Sequence, residues 1–196
     1  MKKVVLHKGR DGAVRRRNPW VFSGAIKTEE EGIADGELIA VEAANGDRLG
    51  CGHYQSGGIR VRVLHFGTEE PEFGEILRRQ LRQALALRTQ LGLTEDPLTN
   101  AYRLVHAAGD GLPGLIVDRY ASVVVVQCHS VGMHLVKAEI AEALRELLGD
   151  GVETIYDKSA SVLPERHPAE DGLLWGAEVT EVVILENGRR FRVDVA

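Results

Sequence analysis

The sequence predicts an α+β protein built from two domains. Residues 1–68 form a small β-barrel, and residues 69–196 form an α/β domain with a small, mainly antiparallel sheet and two helices. Three observations predict this. Short alternating apolar runs, punctuated by Gly and Asn-Gly turns, recur through residues 4–64. Two later stretches, one from Phe73 and one from Met133, carry apolar residues at helical spacing. Between them, Tyr102 to Cys128 reads as three short strands joined by two tight turns, the centre of the second domain.

Composition bounds the function classes. Of 196 residues, 44% are apolar and 27% charged, as in ordinary soluble globular chains. No apolar run approaches the roughly 18 residues of a membrane span. The opening run ends at His7, Lys8 and Arg10, too soon for a signal peptide. Cys51 and Cys128 lie far apart with no Cys-x-x-Cys, so no zinc or other metal site and no disulfide framework is indicated, and a reduced, cytoplasmic chain is the simplest inference. The net charge of −5 is uneven: up to His65 there are 11 Lys/Arg against 8 Asp/Glu, and thereafter 13 against 21. Most of the early excess sits in Lys2, Lys3, Lys8, Arg10, Arg15, Arg16 and Arg17, opposed there by Asp11 alone. Such a cluster in an acidic protein is either a polyanion contact or a solvated basic arm.

The elements follow in order. Val4 to Leu6 is a strand and Gly9 to Gly12 a turn. Pro19 pushes Asn18 towards extended backbone, ahead of the apolar Trp20 to Phe22. Glu37 to Ala43 and Arg48 to Tyr54 flank Asn45-Gly46, a type I′ hairpin signal. Ile59, Val61 and Val63 alternate with Arg60 and Arg62 in a half-buried strand. After a turn-rich boundary at Gly67 to Pro71, the residues Phe73, Ile76, Leu77, Leu81, Ala84, Leu85 and Leu91 mark one helix face, closed near Gly92. Met133, Val136, Ile140, Leu144 and Leu147 mark a second helix, capped by Gly149. Val152 to Tyr156 is a short strand, Ser161 to Gly172 a loop, and Asn187-Gly188 joins a last hairpin. In its second strand Phe191, Val193 and Val195 alternate with polar residues up to Ala196. An amphipathic strand that stops at full strength suggests a cut sequence with an uncovered edge; a terminal strand completing its own sheet is the plainer reading.

Three blocks stand out: Arg17 to Ile26 (RNPWVFSGAI), Gly109 to Tyr120 (GDGLPGLIVDRY) and Leu185 to Gly188 (LENG). In this order they resemble the bacterial large-subunit ribosomal RNA (cytosine-5) methyltransferase family. The resemblance implies an N-terminal PUA domain, a central α/β domain, and then an S-adenosylmethionine-binding Rossmann-like domain holding the cofactor loop and catalytic cysteine. Asn18 stands where that family commonly has His, and Tyr156-Asp157-Lys158-Ser159 matches its Tyr-Glu-Arg segment only loosely. Nothing resembling the catalytic domain follows Ala196. The implied function is therefore the RNA-recognition portion of a methyltransferase that modifies C5 of an rRNA cytosine, inactive alone, with no cofactor of its own. The alternative is a self-sufficient RNA-binding adaptor. The partners implied are RNA, ribosomal in kind, and optionally a second copy of the chain.

Candidate residues were weighed on their chemistry. A cofactor loop at Gly109 to Gly114 needs a helix after it, but the strand Leu115 to Val117 follows, which favours a hairpin turn. Cys128 and His129 are adjacent in a strand and point to opposite faces, so Cys128 is a packing residue; Cys51 lies outside the implied catalytic block. Asp118-Arg119-Tyr120 reads as a structural turn with Asp118 and Arg119 locally bonded, and His106 as structural. Arg60 and Arg62 share a strand face that is either solvated or anion-binding. Arg15, Arg16 and Arg17, supported by Lys8, carry the RNA-binding expectation, because guanidinium groups bind phosphates bidentately. Trp20 is included as a base-stacking residue, although barrel core is its favoured reading.

Overall fold

The computed structural model describes residues 1–195; Ala196, the last residue of the expected alternation, lies outside them. The chain divides into two compact units, Met1–Ile76 and the chain from Leu77 onward.

The first unit holds strands β1 (Lys3–Leu6), β2 (Trp20–Phe22), β3 (Ile26–Glu29), β4 (Leu38–Glu42), β5 (Arg48–Tyr54) and β6 (Ile59–Phe66), with a short helix α1 (Gly12–Arg15) between β1 and β2. They form one sheet in the order β2-β6-β5-β4-β1-β3, in which β1 and β4 run parallel. The alternating positions of β6 behave as expected: Val61 and Val63 join Val4, Leu6, Val14, Val21, Ile39, Val41 and Tyr54 in the core. Two glycines make the β5–β6 contact unusually close. A Cβ on Gly50 would stand 2.2 Å from the His65 carbonyl oxygen, and one on Gly52 2.1 Å from that of Arg62, so only hydrogen fits at either position. A bulge falls between Cys51 and Gly52.

The Asn45-Gly46 turn corrects the expected type. A type I′ turn needs positive φ at both central residues, and of this pair only Gly46 has it. The Ala43 N–H instead donates to Asp47 O at 2.8 Å, closing a longer loop. Asn187 and Gly188 do both adopt positive φ, at 50° and 76°.

The second unit takes its first helix, α2 (Phe73–Gln90), across the division between units. It continues with β7 (Ala101–His106), β8 (Leu115–Tyr120), β9 (Val123–Cys128), helices α3 (Val131–Leu135) and α4 (Lys137–Leu148), then β10 (Thr154–Asp157), β11 (Gly172–Gly176), β12 (Glu181–Glu186) and β13 (Arg189–Asp194). β7, β8 and β9 pair antiparallel, as the central stretch predicts, within a sheet ordered β11-β10-β9-β8-β7. β10 adds parallel to β9, which requires the crossover that α3 and α4 supply. The second predicted helix is thus split at Val136, and the Ser130 Oγ caps its first piece by accepting from the Met133 N–H. Helix α1 and strands β3 and β11 have no counterpart among the elements the sequence predicts.

Among the described residues β12 and β13 form a two-stranded sheet of their own, a hairpin tied to the start of β7: the Leu185 N–H donates to the Asn100 side chain at 2.7 Å. The expected exposure of the last strand is limited to Phe191, because Val195 is buried and Val193 packs with it on Val123 and Val125.

Candidate nucleic-acid interface

The residues expected to contact RNA fall into two groups by electrostatics. Arg15 ends α1, and its guanidinium is held by Asp11 at 2.6 Å and Asp47 at 2.8 Å. Those carboxylates raise its pKa, and Arg15 in turn is the main cause lowering both of theirs. Arg60 pairs with Glu29 at 3.0 Å and lies over the Tyr54 ring, whose hydroxyl donates to the same carboxylate at 2.8 Å. Both arginines are therefore compensated within the unit.

Lys8, Arg16, Arg17 and Arg62 form no ion pair among the described residues. Lys8, Arg16 and Arg17 are exposed along the β1–β2 connection. Arg17 follows the end of α1 with φ of 62°, the left-handed region that disfavours a residue with a Cβ, and its guanidinium lies 5.9 Å from the centre of the Phe66 ring. Arg62 is half-buried, and among the described residues its guanidinium makes one long contact, 3.4 Å to the Gln55 Oε1. Burial lowers its pKa. A guanidinium partly withdrawn from water with no carboxylate beside it is suited to a bound anion.

Trp20 corrects an expectation. It is 42% exposed, whereas Val21 is 2% exposed and fills the core position. A three-residue strand alternates, so one buried centre puts both flanking rings outward, Trp20 and Phe22 together. β2 is an edge strand, and Trp20 lies directly opposite Arg62 on β6. Trp20 thus lies beside Arg62, while Arg15 and Arg60 are engaged by their own carboxylates. Phe22 is not among the site residues the sequence suggests; its i, i+2 relation to Trp20 is the available signal.

Across the next strand pair, Arg62 faces His53. His53 is buried against Phe73 with ring centres 5.1 Å apart, and its Nδ1 has no hydrogen-bond partner. Burial first, and the Arg62 charge second, lower its pKa to about 4, so the imidazole is neutral at pH 7.

In the second unit the conspicuous polar residues serve the fold. Arg88, buried on α2, makes a two-pronged pair with Asp110, one bond at 2.8 Å, and also donates to Arg103 O at 2.9 Å. Arg103 grips Asp118 through two bonds of 2.9 and 3.0 Å. Arg119 donates to Ala121 O and Gly151 O, and His106 accepts a contact from Arg103. Asp118-Arg119-Tyr120 lies in β8 rather than in a turn. Gly111 and Gly114 are explained by the backbone, with φ of 72° and 96°, and at Gly114 also by packing, since a Cβ would reach Ser130 Oγ at 2.4 Å. The loop runs into β8, with no helix N-terminus to face a phosphate. Cys128 is buried, and its thiol is pushed up to about 12, far from a nucleophilic thiolate; Cys51 is also buried.

No helix among the described residues is long and apolar enough to cross a membrane. Residues 4–66 match the family model of a PUA-like domain, and the first unit is a PUA-like β domain. The chain is 39% identical over 196 residues to the ribosomal RNA large subunit methyltransferase I of Aliivibrio fischeri (strain ATCC 700601 / ES114), covering 98% of this chain and 48% of that protein. It is 35% identical over 197 residues to the protein of the same name from Alteromonas mediterranea, with the same coverage. The chain therefore spans about half the length of the curated relatives it matches. Among solved structures, a putative SAM-dependent methyltransferase from Streptococcus mutans superimposes with a TM-score of 0.80 at 18% identity, over all of this chain and 49% of that one. A second, a putative methyltransferase complexed with SAH, gives 0.80 at 19% identity over all of this chain and 48% of that one. These two likenesses support the fold.

Proposed function

We propose that this chain is the RNA-recognition portion of a SAM-dependent ribosomal RNA methyltransferase. Residues 1–68 act as the RNA-binding domain and residues 69–196 as the central domain that leads towards the catalytic one. The reading draws on the similarity to the large-subunit methyltransferases and on the PUA-like first unit. One observation carries the RNA contact: Lys8, Arg16, Arg17 and Arg62 have no ion-pair partner among the described residues, in a protein whose net charge is −5. Arg15 and Arg60 contribute less directly, since a phosphate must compete with carboxylates already in place. The reaction assigned to the whole protein is methyl transfer to C5 of an rRNA cytosine, with the cofactor held by a region outside these residues. The setting is cytoplasmic.

The test is anisotropy titration of the chain with an rRNA-derived oligonucleotide at several salt concentrations. Each phosphate neutralised contributes about −0.7 to the slope of log affinity against log salt on single strands. Replacing Lys8, Arg16 and Arg17 with alanine should weaken binding and flatten that slope by about 2. An unchanged affinity and slope would remove these cations from the interface. A self-sufficient adaptor is the other reading, and a reading frame that continues past Ala196 into a cofactor-binding domain would dismiss it.

A further inference from the structure

We infer that the outer side of β2 is a stacking platform that selects unpaired RNA over duplex, with Trp20 and Phe22 taking bases and Arg62 the adjoining phosphate. The inference rests on the RNA-binding reading above and adds the kind of RNA recognised.

Trp20 and Phe22 are 42% and 53% exposed on a strand whose middle residue is buried, a costly arrangement for two large rings unless something covers them. Ion pairing around them is one-sided. Trp20 stands opposite Arg62, whose guanidinium has no carboxylate partner among the described residues. An apolar aromatic pair rimmed by unpaired positive charge is complementary to a nucleic acid strand, which offers π-faces and phosphates together. A protein partner would need acidic groups alternating with apolar ones to match it.

The spacing favours a single strand. Residues two apart on a strand stand about 6.8 Å apart, roughly twice the 3.4 Å separation of successive nucleotides in a stacked helix. Bases already stacked on each other cannot meet both rings, whereas an extended, unstacked strand can. β2 is also the sheet edge, so no neighbouring strand stands in the way of the incoming chain. Arg62, half-buried and fixed by its place on β6, can hold a phosphate through two parallel N–H donors.

Two probes decide the matter: an unstructured 12-nucleotide RNA and a 12-base-pair duplex of matched sequence, each titrated against the 196-residue chain. The parent should prefer the single strand. Trp20→Ala should weaken single-strand binding by about 5- to 150-fold, with the salt slope unchanged because no phosphate contact is lost. Phe22→Ala should act the same way, and Trp20→Phe should restore much of the affinity. Arg62→Gln should flatten the slope by about 0.7. Circular dichroism checks that each variant is folded, as expected for the exposed Trp20 and Phe22. Undiminished single-strand affinity in Trp20→Ala and Phe22→Ala, or a parent preference for duplex, overturns the platform while leaving RNA binding intact. Failure of the parent to bind either RNA overturns the RNA-binding reading itself, and the platform with it.

Discussion

In the second unit Arg88, Arg103 and Arg119 each end on a protein acceptor, whereas in the first unit Arg16, Arg17 and Arg62 meet no carboxylate among the described residues. Arg88 and Arg103 use the planar fork of the guanidinium on an aspartate, which ties a helix to a turn and one strand to the next. In the first unit Arg15 and Arg60 are likewise engaged by carboxylates, but Arg16 and Arg17 are exposed and Arg62 is half-buried with a single long contact to Gln55. The difference teaches that the number of arginines says little about binding. What matters is whether the fold has already supplied the counter-charge.

The comparison breaks most visibly at Arg88. Removing one partner of a buried pair leaves the other charge uncompensated, so Arg88→Met should cost about 3–5 kcal/mol of stability. Adding Asp110→Asn should recover part of that loss, and RNA affinity of the folded fraction should be unchanged. Denaturant unfolding monitored alongside RNA titration checks all of this; a large affinity loss at full stability would erase the distinction between the units.

His53 sharpens it from the barrel side. Its folded pKa of about 4 lies below the unfolded value of 6.5, so the neutral form is the one the fold accommodates. Its contribution is complete above pH 6.5 and is lost as pH falls from 6.5 towards 4, because only the unfolded chain readily takes up the proton. The window amounts to roughly 3 kcal/mol. His53→Leu should lessen the acid dependence of the unfolding midpoint. It should not abolish it, since burial also lowers His129 and His134. An identical pH profile in the variant would mean that His53 is not the buried base beneath Arg62.

The smallest stability effect, and the most diagnostic, is expected at Arg17. Its φ of 62° is a glycine conformation occupied by arginine. Arg17→Gly relieves that strain but frees the unfolded chain, so stability should stay within about 1 kcal/mol of the parent. RNA binding should nonetheless weaken and its salt slope flatten. A marked loss of stability would make Arg17 a structural residue like Arg88.

What the sequence could reveal followed the range of the physics. Alternation placed Val61 and Val63 in the core, and helical spacing placed Ile76, Leu77, Leu81 and Ala84, because each rule compares near neighbours. Trp20-Val21-Phe22 defeated it: three apolar residues in a row carry no phase, and only the core packing of Val21 sets which side faces in. Leu91 was assigned to the buried face of α2 and is 64% exposed, since the helix ends one residue earlier. The neutralisation of Arg15 rests first on Asp11, four residues back, and then on Asp47, far along the chain, and that of Arg60 rests on Glu29. Charge clustering by position could not separate those arginines from Arg16 and Arg62. The loop glycines were legible as a hairpin because the missing helix is a local feature.

The closeness of β5 to β6 has a consequence for how this surface can change over generations. The Arg62 carbonyl occupies the space where a side chain at Gly52 would begin, so position 52 tolerates no substitution without displacing the strand that presents Arg62. Lys8, Arg16, Trp20 and Phe22 are bound by no such restriction, since their side chains leave the fold outward. A lineage, or a mutagenesis library, selected for a new RNA preference can therefore explore those positions freely while the glycines stay invariant. The backbone of the platform is the inherited part, and its chemistry is the part left open to variation.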